Sequence, residues 1–300
     1  MNGLPIHRPA AIAVGADCPM TANGRGAGAP LTDLHTHSTA SDGQYSPAEL
    51  VSLAHARGVE VLALTDHDTT DGVAEARAAG EALGVRVIPG IELSAKGYHT
   101  FHILGYAFDP GAQPIAALCA RMKERRGERD FIIRDYLREH GMPLELSEVR
   151  ALAAGVTGRP HFAQAMVGRG YVASVREAFD RWLDTDELHA RMDRGKPSAR
   201  ECVEAIRASG GRASLAHPYQ IGVDDETLDA IVRELAGYGL DAIECYYPRF
   251  TPEQQKHYLQ LAEKYHLHVT GGSDFHGERV KPDIQLAALP LDVEWLLREE

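Results

Sequence analysis

The chain is 300 residues long, 44% hydrophobic and 25% charged, with a formal net charge of -12. This predicts a soluble globular chain with a sizeable core and excludes a membrane protein, because no apolar run approaches the roughly 20 residues of a spanning helix. The acidic balance excludes a basic face for long nucleic acid, and Cys18, Cys119, Cys202 and Cys245, which form no CxxC pair, exclude a disulfide framework and fit a reducing, cytoplasmic setting.

Residues 1–30 are rich in Gly, Ala and Pro without sustained period, and are expected to form a disordered tail. From Leu31 short apolar runs alternate with helix-length amphipathic segments, the pattern of βα units around a parallel sheet. The expected strands are TDLHTH, EVLALT, RVIPGIEL and FHILGYAF in a first part (31–113), and ASLAHP, DAIECYY and HVTGGS in a second (198–300). Three helix starts carry explicit signals: Ser46, Pro47 and Glu49; Ser198 and Glu201; Thr251, Pro252 and Gln254. The helix after Ser198 should stop at Gly210 and Gly211. Between the two parts, over 114–197, the pattern becomes charged and helical, which predicts an inserted helical subdomain. The run KERRGERD within it reads as a solvated helix face.

Candidate metal ligands stand at the ends of these strands. His35 and His37, two apart on a strand, project from one face and can grip one ion. Asp42 follows in the loop STASDG; His67 ends EVLALT within TDHD, flanked by Asp66 and Asp68 as supporting carboxylates. Glu92 ends PGIEL, His102 opens FHILGY, His217 closes ASLAHP, and Asp274 with His276 repeat the i, i+2 spacing after VTGGS. Strand carboxyl ends are where barrel enzymes assemble their sites. Mixed imidazole and carboxylate donors without thiolate suit Mn, with Fe or Zn as alternatives.

The blocks DLHTHSTASDG, ALTDHD, GIELS, LAHP and GGSDFHG, in that order, resemble the polymerase and histidinol phosphatase (PHP) family of phosphoesterases from Leu31 to about Leu289. The resemblance implies a distorted (β/α)7 barrel holding up to three divalent ions, with the nine residues above at the family's ligand positions.

Such a site implies that a metal-bridging hydroxide, formed near neutral pH, attacks phosphorus in line, with no covalent phosphoenzyme. Asp66, Asp68 and His99 are the candidate proton donors to the leaving oxygen. In TGRPHFA, Arg159 and His161 are candidates to hold a second phosphate, as is Arg249 after ECYYP. GRPHFA followed by AF..WL resembles the nucleotide-acting branch. That resemblance implies hydrolysis of the 3'-phosphate of a 3',5'-bisphosphonucleotide such as adenosine 3',5'-bisphosphate, and trimming of short 5'-phosphorylated oligonucleotides. The alternatives are a phosphatase of another small monoester, such as histidinol phosphate, and a non-catalytic metal-binding module.

Overall fold

The computed structural model describes residues 29–98, 100–153 and 157–297, so the tail apart from its last two residues, Cys18 and His99 lie outside the described residues. All seven expected strands form: β1 (Leu31–Thr36), β2 (Val61–Leu64), β3 (Arg86–Ser94), β4 (His102–Tyr106), β5 (Arg212–Leu215), β6 (Ala242–Tyr246) and β7 (His268–Gly271). A short β8 (Leu289–Pro290) completes one sheet ordered β7-β6-β5-β4-β3-β2-β1-β8.

The sheet is not all parallel, as the βα pattern suggested. β4 runs antiparallel to both β3 and β5, whereas β1-β2-β3 and β5-β6-β7 are parallel. The reason is length: residues 95–101 between β3 and β4 are too few for a helical crossover, so the chain turns straight back. The reversal places the start of β4, paired as Ser94↔His102, at the end of the barrel where the parallel strands finish.

β1 closes the barrel with both halves of its length. Its start pairs with β8 (Leu31↔Pro290) and its end meets the chain beyond β7, where Asp274 N–H donates to His35 O (2.8 Å) and His37 N–H to Phe275 O (2.9 Å). Gly272 permits this approach, since a Cβ there would lie 2.4 Å from the His35 Cβ. The architecture is thus a distorted, nearly closed α/β barrel.

Helices α1 (Pro47–Ala56) and α2 (Val73–Leu83) cover the first strands. Ser46 and Glu49 form a reciprocal capping box at the start of α1. Between β4 and β5 run α3 (Gln113–Glu139), α4 (Leu146–Ala151), α5 (Arg159–Gly168), α6 (Val175–Ala178), a π-helical turn (Phe179–Leu183), α7 (Asp186–Asp193) and α8 (Ala199–Ala208). α3 to α7 bury an apolar cluster of their own, including Tyr136, Phe162, Met166 and Leu183, distinct from the barrel core around Leu34, Ile91, Leu104 and Ile243. The run KERRGERD is only partly a solvated face. Arg125 donates to Met192 O (3.1 Å) and Arg129 to Thr157 O (2.5 Å), fastening α3 to its neighbours. The remaining helices are a 3-10 turn (Pro218–Ile221), α9 (Asp225–Gly237), α10 (Pro252–Lys264) and α11 (Glu294–Leu297). The boxes expected at Ser198 and Thr251 open α8 and α10. No helix of the described residues is long and apolar enough to cross a membrane.

Candidate metal centre

The nine residues singled out in the sequence meet at the mouth of the barrel, around Glu92. Its Oε2 stands 3.2 Å from His35 Nε2, 3.1 Å from His37 Nε2 and 3.1 Å from His67 Nδ1; its Oε1 stands 2.7 Å from His102 Nδ1 and 2.9 Å from His217 Nε2. Three sets of donors converge: His37, Asp42, His67 and His276; His35, His37, Glu92 and Asp274; His67, Glu92 and His102. Within each set the ligand atoms all lie within 4.8 Å of one another.

Each residue arrives there for a local reason. Alternation along β1 turns His35 and the following His37 to the mouth and Leu34 to the core, leaving both imidazoles buried. Asp42 sits on a loop that Asp66 fastens, accepting from Ser38 N–H (2.8 Å), Ser38 Oγ (2.7 Å) and Ser41 Oγ (2.6 Å). Asp68 likewise accepts from Ser94 N–H (2.8 Å) and Ser94 Oγ (3.0 Å), just beyond Glu92. Both carboxylates thus fasten segments that carry members of the cluster. His217 and Asp274 hold positive φ (24° and 55°), a backbone cost of about 1–3 kcal/mol that surrounding contacts must sustain.

The electrostatics favour cations. Burial opposes ionisation of Glu92, but the neighbouring His67, His102 and His35 prevail and hold its carboxyl well below the usual range. Asp274 is held low in the same way, against burial, chiefly by His35, His37 and Lys281. Burial pushes His37 down, yet the Asp274 and Glu92 carboxylates raise it to about 9. Buried anions need positive charge among them; protons on imidazole supply it, and divalent ions would displace those protons. Moreover, His35 Nε2, both ring nitrogens of His37, His217 Nδ1 and Glu92 Oε2 are buried without a well-formed hydrogen bond. Oxygen and imidazole donors so arranged fit hard to borderline divalent ions.

Three participants were missed in the sequence. Glu244, fully buried on β6, places Oε1 3.2 Å from His35 Nδ1 and accepts from His217 N–H through Oε2 (2.6 Å). A lone acid inside the apolar run AIECYY was the available signal. Tyr247 Oη and Lys281 Nζ both donate to Asp274 Oδ2 (2.8 and 2.6 Å), and nothing in the sequence marked either one.

The candidate phosphate contacts have local partners instead. Arg159 donates to Asp184 Oδ1 (2.9 Å) and Leu183 O (3.2 Å) and lies over the Phe179 ring. His161 Nδ1 accepts from Gly158 N–H (3.0 Å), capping α5, and Arg249 pairs with both oxygens of Asp283 (2.8 and 3.1 Å).

The family model for the PHP domain matches residues 33–187. A 5'-3' exoribonuclease of Haemophilus influenzae is 36% identical over 81% of this chain and 89% of its own. A phosphoribosyl 1,2-cyclic phosphate 1,2-diphosphodiesterase of Eggerthella lenta is 36% identical over 83% and 95%, and a 3',5'-nucleoside bisphosphate phosphatase of Chromobacterium violaceum 32% over 81% and 86%. The structure of a predicted metal-dependent phosphoesterase from Bifidobacterium adolescentis superposes with a TM-score of 0.72 at 30% identity, covering 90% of this chain and 96% of that one. Site and relatives agree: the chain belongs to the PHP domain family and is a metal-dependent phosphoesterase.

Proposed function

We propose that the protein hydrolyses a phosphoester on a ribose that carries a second phosphoryl group, with 3',5'-bisphosphonucleotides and short 5'-phosphorylated oligonucleotides as substrates. The observation that supports this is the convergence of five imidazoles on Glu92 beside Asp42 and Asp274. His35, His37, Asp42, His67, Glu92, His102, His217, Asp274 and His276 would hold the ions, with Mn as the first candidate. Bound there, divalent ions supply Lewis acidity and lower the pKa of water, which suits attack on phosphorus. The chain's own residues hold that set in place: Glu244 orients His35, while Tyr247 and Lys281 fix Asp274.

The activities for which the three relatives are named share one chemistry, a ribose bearing more than one phosphoryl group. That overlap supports a clamp for the phosphate that is not cleaved. Arg159 remains its best candidate: its pair with Asp184 is partly exposed, worth about 0–1 kcal/mol, and is readily exchanged for a phosphate dianion. The near-equal identity to a cyclic phosphodiesterase favours a second reading, opening of a cyclic ribose phosphate.

A phosphate-release screen on metal-reconstituted protein tests the assignment. Adenosine 3',5'-bisphosphate should exceed histidinol phosphate and simple sugar monophosphates in kcat/KM. Equal turnover of singly phosphorylated esters would overturn it.

A further inference from the structure

Beside the mouth, on the outer flank of the β3–β4 turn, lies a cleft of about 550 Å³ between that turn, the end of α7 and the helices α8 and α9. This volume is in the range of ligand sites. Its walls include Lys96, Tyr98, Phe101, Arg194, Arg200 and Tyr238. The cleft adjoins the metal centre through the backbone. Phe101 precedes His102, Ala95 N–H donates to Phe101 O (2.8 Å), and Lys96 N–H donates to Pro197 O (2.8 Å), tying the rim to the start of α8.

The cleft combines unpaired cations with aromatic faces. Lys96 and Arg194 are exposed, and their side chains make no ion pair or hydrogen bond among the described residues. Arg200 stands 5.2 Å from the Tyr238 ring centre and shares an exposed pair with Glu204 (2.7 Å). Two acids, Asp193 and Glu234, also line the cleft; Asp193 pairs with Lys196 (2.7 Å), and Glu234 accepts from the Tyr238 hydroxyl (2.5 Å). Tyr98, half-buried, packs edge-on against Phe101 with centroids 5.3 Å apart. In a chain of net charge -12, a cleft lined by three cations against two acids, beside two partly open tyrosine rings, is a local exception. Cations that track a backbone and ring faces on which bases stack suit single-stranded nucleic acid without base-specific readout.

We infer that this cleft is a strand-binding groove: with the 5'-terminal nucleotide of a short oligonucleotide in the metal centre, the following nucleotides cross the rim at Lys96 and Phe101 and lie along Lys96, Arg194 and Arg200, stacking on Tyr98 and Tyr238. The inference rests on the nucleotide reading above. It makes the protein prefer oligomers over mononucleotides for a physical reason separate from the metals.

The test compares the parent holoenzyme with the double variant Lys96→Ala, Arg194→Ala on adenosine 3',5'-bisphosphate and on 5'-phosphorylated oligoribonucleotides of increasing length. The parent should gain kcat/KM with length, and the variant should lose that gain, roughly 10- to 100-fold on the longer oligomers, with mononucleotide turnover and Tm unchanged. The dependence of log KM on log salt for the longer oligomers should also flatten by roughly 0.7 for each phosphate contact removed. Tyr238→Ala should weaken longer oligomers without altering the salt slope. Equal length dependence in parent and variant overturns the groove and leaves the bisphosphate reading intact. A parent inactive on bisphosphates and oligomers alike overturns the nucleotide reading, and the groove with it.

Discussion

Replacing Glu244 by Gln separates the fold from the metal centre. The glutamate touches two members of the site at once, His35 Nδ1 at 3.2 Å and the His217 N–H at 2.6 Å, and it is fully buried. A carboxylate can accept from both; an amide cannot. If the Gln carbonyl keeps the His217 N–H, its NH2 faces His35 Nδ1 and forces that nitrogen to accept, which moves the ring proton to Nε2, the atom aimed at Glu92 and the metal position. If the amide turns over, His35 keeps its tautomer and the His217 N–H loses its acceptor. Either arrangement leaves a buried polar mismatch costing about 1–3 kcal/mol, which corresponds to roughly 10- to 100-fold in metal affinity. Calorimetric metal titration of the apoprotein should show that loss, with one equivalent of ion weakened most. The apo Tm should fall only slightly, and nitrogen NMR shifts of His35 should report which orientation is adopted. A Glu244→Gln protein with parental metal affinity, stoichiometry and kcat/KM would refute the argument that Glu244 positions His35.

Three other outcomes follow from the same structure. Asp274→Ala should remove at least one ion per chain by elemental analysis and lower kcat/KM by more than the roughly 10- to 100-fold typical of an outer contact; full activity after chelation without added metal would contradict the site. Arg159→Ala should keep its metals, its Tm and its turnover of a small activated monoester while losing roughly 10- to 100-fold on the bisphosphate, and an equal loss on both substrates would remove the clamp. Burial raises the Asp33 carboxyl to about 6 against the bonds it accepts from Ser273, Ala287 and His35. The folded chain therefore keeps a proton that the unfolded chain releases near 3.8, a contribution present below that value and lost as pH rises through about 6. Its size is about 3 kcal/mol by the usual conversion. The Tm of the apo parent relative to Asp33→Asn should accordingly fall between about pH 4 and about pH 7; a relative rise would mean that the hydrogen bonds outweigh burial.

The features readable from the amino-acid order are local. Strand period turned His35 and His37 to one face, and caps at Ser46, Ser198 and Thr251 opened three helices, because each feature depends on neighbours a few residues away; Asp274 and His276 share the i, i+2 spacing but lie beyond β7, with Asp274 at positive φ. The tertiary structure alone decided which side chains face one another across the barrel. Glu244 meets His35 across 209 residues of chain, and no periodicity encodes that register. The reversal of β4 depended on a seven-residue link rather than on the strand's own pattern, and it set which end of the strand His102 occupies. Arg159 shows the limit of motif reading most plainly. A guanidinium in a loop-to-helix motif has the chemistry for phosphate, but which acid or carbonyl reaches it is fixed by how α5 packs on the π-helical turn, and there it meets Asp184. Residue type sets what a side chain can do; packing sets what it is near.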